Sequence, residues 1–204
     1  LIFYKFLFSF MFFFNVKKIS IFFLFYLFLN EAYANNETTD ALKDGSKIVF
    51  IRHSLAPGNG DPENFNLNDC STQRNLSKKG IEQSKKIGDF FTKNKIEIDA
   101  VLSSEWCRCK DTAFHAFENF ITFNALNSFY DPKFSKNEKS QINDLKKLIE
   151  GWKSDKNLIL VTHYVVISSM LNVGSSSGEI IVVNKDYVFP EKIKEEFYFS
   201  YNMN

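Results

Sequence analysis

Three short apolar segments recur along this chain of 204 residues, and stretches with a helical pattern of apolar side chains separate them. A short run of β-branched and other aliphatic residues is typical of a buried strand, and alternation of such strands with helices is typical of a parallel sheet. The sequence therefore predicts an α/β fold, a three-layer sandwich with a mainly parallel central sheet flanked by helices. The three segments are KIVFI (47–51), IDAVL (98–102) and NLILV (157–161).

The first 34 residues form a separate segment that contains 11 of the 24 phenylalanines. An apolar run of 11 residues, 19–29, follows two lysines and precedes an A-x-A pattern that ends at Ala34. This layout is typical of a secretory signal peptide and predicts cleavage after Ala34. The run is shorter than the roughly 20 residues that span a bilayer. Met11 is the natural start, with residues 1–10 as an upstream extension, and an uncleaved membrane anchor is the alternative.

After the signal peptide (1–34), the sequence predicts a flexible polar lead-in at 35–46 and one domain at 47–204. Outside the leader there are 22 basic and 23 acidic residues, a net charge of −1. This balance gives no electrostatic footprint for nucleic acid, so no nucleic-acid partner is expected. We expect an exported protein, periplasmic or secreted, with no membrane span in the mature chain.

Cationic and imidazole side chains follow all three apolar segments. Arg52 and His53 come directly after the first segment. Arg108 follows the second at the start of a helical stretch, and His163 comes two residues after the third. Ligands of an open α/β sheet bind at the carboxyl ends of its strands, and guanidinium groups match phosphate oxygens, so the pattern predicts a phosphate site. A single histidine is more often structural, and we interpret His115, within a helical stretch, in that way.

The same segments resemble the signatures of a known family. IRHSLAPGN, LSSEWCRCKDTA and VTHYVVI resemble, in this order, the three signature segments of the histidine phosphatase (phosphoglycerate mutase-like) superfamily. RNLSKKGIEQSKKIGDFF resembles the first helix of that superfamily. The resemblance covers roughly residues 47–184, and it is strongest to small exported members that carry DCSTQRNLS and WCRC segments.

The resemblance implies a metal-independent phosphatase that acts on a small phosphorylated substrate through a phosphohistidine intermediate. His53 would be the nucleophile, and Arg52, Arg108 and His163 would hold the phosphoryl oxygens. Asn59 stands where many members have an asparagine that contacts phosphate. No metal or other cofactor is implied, because the arginines supply the positive charge.

The chain also departs from the family pattern. Ser54 replaces the usual glycine, and Tyr164, which is expected to narrow the pocket, follows the second histidine. The familiar segment with a proton-donating carboxyl group is not visible, and each candidate is more simply a surface carboxylate. The alternatives are therefore a protein phosphohistidine phosphatase or a non-catalytic phosphate-binding module, and specificity is expected from the loops at 54–75 and 127–140. The candidate acids are Asp61, Asp69, Glu105 and Glu179.

Three cysteines permit at most one intrachain disulfide. A Cys-x-Cys pair without a second pair at finger-like spacing is a poor zinc signal, so no metal site is predicted. We predict that Cys70 pairs with a cysteine of the CRC segment, and only one can reach it because positions i and i+2 do not share a helix face. In the family pattern the residue after the arginine is small and packs inward, which implies a bridge to Cys107 and a free Cys109. Three reduced thiols in a protein that is not exported are the alternative.

Overall fold

Strands and helices alternate along the chain in the computed structural model, which describes residues 38–185 and 198–201. The strands are β1 (Lys47–Arg52), β2 (Ile98–Ser103), β3 (Ile121–Thr122), β4 (Asn157–Thr162), β5 (Ile180–Asn184) and β6 (Tyr198–Tyr201). The helices are α1 (38–44), α2 (Lys78–Lys93), α3 (Cys107–Phe117), α4 (Pro132–Ser135), α5 (Glu138–Gly151) and α6 (Tyr164–Leu171). Short 3-10 helices lie at Cys70–Thr72 and Asn124–Leu126. The predicted signal peptide lies outside the described residues.

The described strands form one sheet in the order β3-β2-β4-β1-β5-β6. The four strands from β3 to β1 are parallel to one another, whereas β5 runs antiparallel to both β1 and β6. The predicted α/β fold with a mainly parallel sheet is therefore confirmed. The register pairs Arg52 with Thr162, so β1 and β4 end at the same edge.

Helices cover both faces of the sheet, which explains why the strands read as continuous apolar runs. Ile48 and Phe50 belong to a core that packs against α5 and α6. Val49 and Ile51, which alternate with them along β1, belong to a second core with residues of α2 and α3. Every residue of β4 is buried. The two cores and the sheet between them make the predicted three-layer sandwich.

Local signals determine where α2 begins and how closely it packs. The Ser77 hydroxyl oxygen accepts a hydrogen bond from the Gly80 backbone N–H (3.1 Å), as expected for an N-cap residue. A Cβ at Gly80 would lie 2.2 Å from the Leu55 carbonyl oxygen. Glycine at this position therefore lets the loop after β1 lie directly against the helix.

The predicted flexible lead-in needs a correction. Of its residues the structure describes 38–46, and residues 38–44 are helical. The Leu42 side chain is completely buried in the core beside Ile87. The Leu42 carbonyl oxygen accepts a hydrogen bond from Asn157 Nδ2 (2.7 Å). Burial of this one leucine holds a segment whose polar composition suggested a mobile linker. No helix in the described ranges has the length and apolar character that a membrane crossing needs.

Candidate active site

A cavity of about 150 Å³ lies where β1 and β4 end. The backbone N–H of His53 donates to the Thr162 carbonyl oxygen (2.9 Å), which extends the strand pairing to the last residue before His163. The two imidazole rings are then 5.5 Å apart, centroid to centroid. All five residues that the sequence assigned to the site line this cavity: Arg52, His53, Asn59, Arg108 and His163.

His53 is held in one tautomer. Its Nδ1 lies 2.9 Å from the Ser54 carbonyl oxygen, which can only accept a hydrogen bond, so Nδ1 carries the proton and Nε2 keeps its lone pair. Burial, and next the positive charge of Arg108, lower the pKa of His53 well below its usual value. The ring is therefore neutral near pH 7, the state that a nucleophilic imidazole requires.

His163 is oriented by a chain of polar groups. Its Nε2 lies 2.8 Å from the Ser104 hydroxyl, and that hydroxyl donates to Asn127 Oδ1 (3.1 Å). Asn127 Nδ2 in turn donates to Glu105 Oε2 (2.6 Å). On its other side, His163 Nδ1 lies 3.5 Å from Arg108 Nη2. Burial and the Arg108 charge lower the pKa of His163 well below its usual value, so this ring is also neutral near pH 7.

The two predicted arginines approach the cavity differently. Arg52 is anchored by one hydrogen bond from Nη1 to the Ser175 carbonyl oxygen (2.5 Å), and burial lowers its pKa. Arg108 is almost completely buried and pairs with Asp61 through Nη1 and Oδ1 (2.8 Å). The Nε of each guanidinium is buried with no hydrogen-bond partner in the described structure, so the protein does not use all of their donors.

Arg74 lines the same cavity and was missed by the sequence analysis. Its Nε donates to the Gly60 carbonyl oxygen (2.8 Å) and its Nη1 to that of Ala56, and burial and the Arg108 charge lower its pKa. The only sequence signal was its position in the DCSTQRNLS segment. Four cations and two carboxylates thus line the cavity, an excess of positive charge that suits a phosphate dianion: Arg52, Arg74, Arg108 and Lys133 against Asp61 and Asp131.

Asp61 is not the surface carboxylate that the sequence suggested. Its side chain is 14% exposed and accepts hydrogen bonds from Arg108, from Trp106 Nε1 (3.0 Å) and from the Arg74 backbone N–H (3.0 Å). Burial would raise the pKa of Asp61, but Arg108 and these donors outweigh it and lower the pKa. Asp61 is therefore ionised near neutral pH and holds Arg108, rather than carrying a proton.

The other three candidate acids do not line the cavity. Asp69 caps the 3-10 helix by accepting from the Ser71 backbone N–H (2.9 Å). Glu105 holds Asn127, as described above. Glu179 accepts from the Ser176 backbone N–H (2.6 Å) in the loop before β5. Each has a structural partner away from the cavity.

The departures from the family pattern have clear positions. The Ser54 side chain is buried, and its Oγ accepts a hydrogen bond from Ser84 Oγ (2.8 Å), so the hydroxyl in place of a glycine is satisfied. Tyr164 lines the cavity and is 46% exposed, with the Arg52 guanidinium 5.5 Å from its ring centroid. Asn59 lines the cavity at its exposed side, where Nδ2 donates to the Tyr130 hydroxyl (3.2 Å).

The predicted disulfide is present between Cys70 and Cys107, whose Cα atoms are 5.7 Å apart. Cys109 is the free, buried cysteine, and burial raises the pKa of its thiol to about 12. Because Cys107 immediately precedes Arg108, the bridge ties the loop before α2 to the helix that carries this arginine. In the described part of the chain, no group of three or more His, Cys, Asp or Glu side chains could hold a metal ion.

Comparison with known proteins shows the fold. Mycobacterial hydrolase 1 is similar over 68% of this chain and 89% of its own, with a TM-score of 0.50 and 14% sequence identity. The protein histidine phosphatase SixA complexed with tungstate matches 76% of this chain and 96% of its own (TM-score 0.49, 14% identity). Phosphoglycerate mutase from Thermus thermophilus matches 67% and 92% (TM-score 0.48, 15% identity).

No protein-family model and no curated protein sequence matches the chain. The chain has the histidine phosphatase (phosphoglycerate mutase-like) fold, the one that its sequence segments predict. Sequence identities this low concern the fold, so the activity has to be argued from the residues of the cavity.

Proposed function

We propose that this protein is a metal-independent phosphatase that hydrolyses a phosphomonoester through a phosphohistidine at His53. The observation that carries the proposal is the state of His53: a neutral ring, protonated on Nδ1 by its bond to Ser54, beside an excess of cationic side chains. A pure binding site would not need a nucleophilic nitrogen, which argues against the non-catalytic alternative.

In the first step, Nε2 of His53 attacks phosphorus in line with the leaving oxygen. The N–P bond forms while the P–O bond to the leaving group breaks, and the electron pair departs on that oxygen. Arg52, Arg108 and His163 bind the remaining phosphoryl oxygens, and fixed donors at such positions are each worth about 10²–10³-fold in rate. Asn59 is proposed as a further phosphate contact.

In the second step, water attacks the phosphohistidine. A new P–O bond forms, the P–N bond breaks, and its electron pair returns to Nε2. The proton of the attacking water passes to solvent, and inorganic phosphate is released. The positive charge that stabilises both steps is proposed to come from the arginines, which is why the reaction is expected to proceed without a metal.

A protein phosphohistidine phosphatase is the second candidate. Both carboxylates that line the cavity are engaged, Asp61 with Arg108 and Asp131 with Lys133 (3.7 Å). Neither is placed to protonate a poor leaving group, and phosphohistidine releases a good one. A mutase is disfavoured because its phosphoglycerate or phosphosugar pool is normally cytoplasmic, whereas the leader predicts export.

We also propose that the protein is exported to the periplasm or secreted, and that the mature chain begins at Asn35. The disulfide between Cys70 and Cys107 supports an oxidising compartment. Intact-mass measurement on protein recovered from the exported fraction tests this. A mass that retains residues 19–34 would contradict cleavage.

The direct test of the activity is turnover of a panel of phosphorylated compounds in the presence of a chelator. The panel contains aryl phosphates, alkyl phosphates and a phosphohistidine peptide, and His53→Ala is the control. Turnover by the wild type that the chelator leaves unchanged and that is absent from His53→Ala supports the proposal. Loss of turnover with the chelator, or equal turnover by both proteins, contradicts it.

A further inference from the structure

Three aromatic side chains form one wall of the cavity, which we call the aromatic wall: Phe65, Trp106 and Phe134. The rings of Phe65 and Trp106 are stacked with their centroids 5.2 Å apart, and Phe134 meets both rings edge-on. The other edge of Trp106 contacts the His163 ring (5.5 Å between centroids). The wall therefore begins at the proposed phosphate site and continues outward from it.

Two exposed tyrosines face the same space. Tyr130 is 58% exposed and Tyr164 is 46% exposed, and both line the cavity. They are two of the five large apolar side chains that are exposed in the described part of the chain. Exposed aromatic surface at the mouth of a pocket is typical of ligand recognition, because a planar ligand group can stack on it. The cavity volume, about 150 Å³, is that of a site that holds a benzene ring, so it has room for a small group only.

The protonation chemistry of the site leads independently to the same kind of leaving group. Asp61 is ionised and bonded to Arg108, and the Asp131 carboxylate accepts the Lys133 backbone N–H (3.0 Å). With neither carboxylate free to deliver a proton, the leaving oxygen has to depart as an anion. A phenol ionises at pH about 10, whereas an alkyl alcohol resembles water, whose pKa is about 15.7. Only the phenol leaves readily without a proton.

We infer that the cavity selects phosphate esters of a single aromatic ring, with the ring stacked between the aromatic wall and the exposed tyrosines and released as a phenolate. This inference rests on the proposed phosphatase function and assigns its substrate class. Lys133, whose Nζ lies 5.0 Å from the centroid of Phe65 and 5.1 Å from that of Phe134, adds positive charge beside the phenolate. The P–O bond breaks toward the ring oxygen, which keeps the electron pair and takes its proton from solvent.

Binding can be tested without turnover. In a His53→Ala background, calorimetry should show phenyl phosphate binding about tenfold more tightly than ethyl phosphate, the gain expected from ring stacking. Adding Tyr164→Ala should abolish most of this advantage, whereas Tyr164→Phe, which keeps the ring, should preserve it. Phe114→Ala is the matched control, because Phe114 is an exposed aromatic residue outside the cavity. Equal binding of the two esters would overturn ring recognition even if the wild type is a phosphatase.

The release step needs a second measurement. For the wild type, single-turnover rates across substituted phenyl phosphates should fall steeply as the phenol becomes less acidic. A flat dependence would reveal a proton donor and overturn the phenolate assignment. Phosphoimidazole distinguishes the ester from a phosphohistidine source, and tighter binding and faster turnover of phosphoimidazole than of phenyl phosphate would overturn the ester assignment. Complete absence of turnover with every phosphate, together with tenfold tighter binding of phenyl phosphate, would refute the phosphatase function but leave the ring subsite standing.

Discussion

The floor and the rim of the cavity are built from different parts of the chain. The floor consists of side chains at strand ends, and its residues His53, Arg108 and His163 are almost completely buried. The rim consists of loop residues such as Tyr130, which is more than half exposed, and Lys133. The floor can fix the chemistry because burial and hydrogen bonds leave its groups one arrangement. The rim can vary the substrate without disturbing that chemistry, so changes in the floor should alter kcat and changes in the rim should alter KM.

The largest effect is expected from His53→Ala, which removes the proposed nucleophile. The rate on phenyl phosphate should fall by about 10⁵-fold, since loss of a covalent nucleophile removes a whole reaction path. The steady-state rate measures this, with His115→Ala as the control because His115 lies outside the cavity. A comparable loss in both variants would mean that the floor is not where the chemistry occurs.

The disulfide joins the two regions, and its removal should cost stability. It closes a loop of 37 residues between Cys70 and Cys107, for which chain entropy gives about 4 kcal/mol. The Cys70→Ser/Cys107→Ser double variant should lose about this much free energy of unfolding in denaturant titrations. The wild type with reductant should lose a similar amount, while the double variant should not respond to reductant. A double variant as stable as the oxidised wild type would show that the bridge does not hold the loop against α3.

Within the floor, Arg108→Lys keeps the charge but loses the planar guanidinium. We expect kcat to fall by about 10²–10³-fold with a smaller change in KM, because the donors are needed most in the transition state. The matched rim variant is Lys133→Ala, which removes a cation that also lines the cavity. It should raise KM more than it lowers kcat. If the two variants show the same kcat and KM pattern, the division between floor and rim is wrong.

The buried histidines of the floor also predict how stability depends on pH. Unfolded histidine has a pKa of about 6.5, whereas the pKa values of folded His53 and His163 lie well below this. Below pH 6.5 the unfolded state therefore takes up protons that the folded state does not, and the free energy of unfolding falls as the pH falls. The slope should approach about 1.4 kcal/mol per pH unit for each histidine. In denaturant titrations, His53→Gln should reduce this slope by about half of the two-histidine contribution, and an unchanged slope would contradict the assignment.

The sequence was sufficient for the sheet and the floor but not for the rim. Parallel strands bring their ends to one edge, so Arg52 and His163 could be placed together before any contact was known. The rim depends on pairings between loops distant in sequence, such as Asp61 with Arg108, 47 residues apart. No local pattern encodes such a pair, which is why the sequence pointed to a surface residue at Asp61 and did not reveal the role of Trp106. The helix at 38–44 was missed for a similar reason, since burial of Leu42 depends on distant core residues.

The most direct test of the account is to trap the phosphoryl group on the protein. The wild type is mixed with phenyl phosphate, quenched in alkali within one turnover, and digested for mass spectrometry. The account predicts one phosphoryl group on the peptide that contains His53, stable in alkali, lost in acid, and absent from His53→Ala. A phosphoryl group on another residue, or steady turnover with no phosphorylated peptide at any time, would contradict the claim that His53 is the nucleophile.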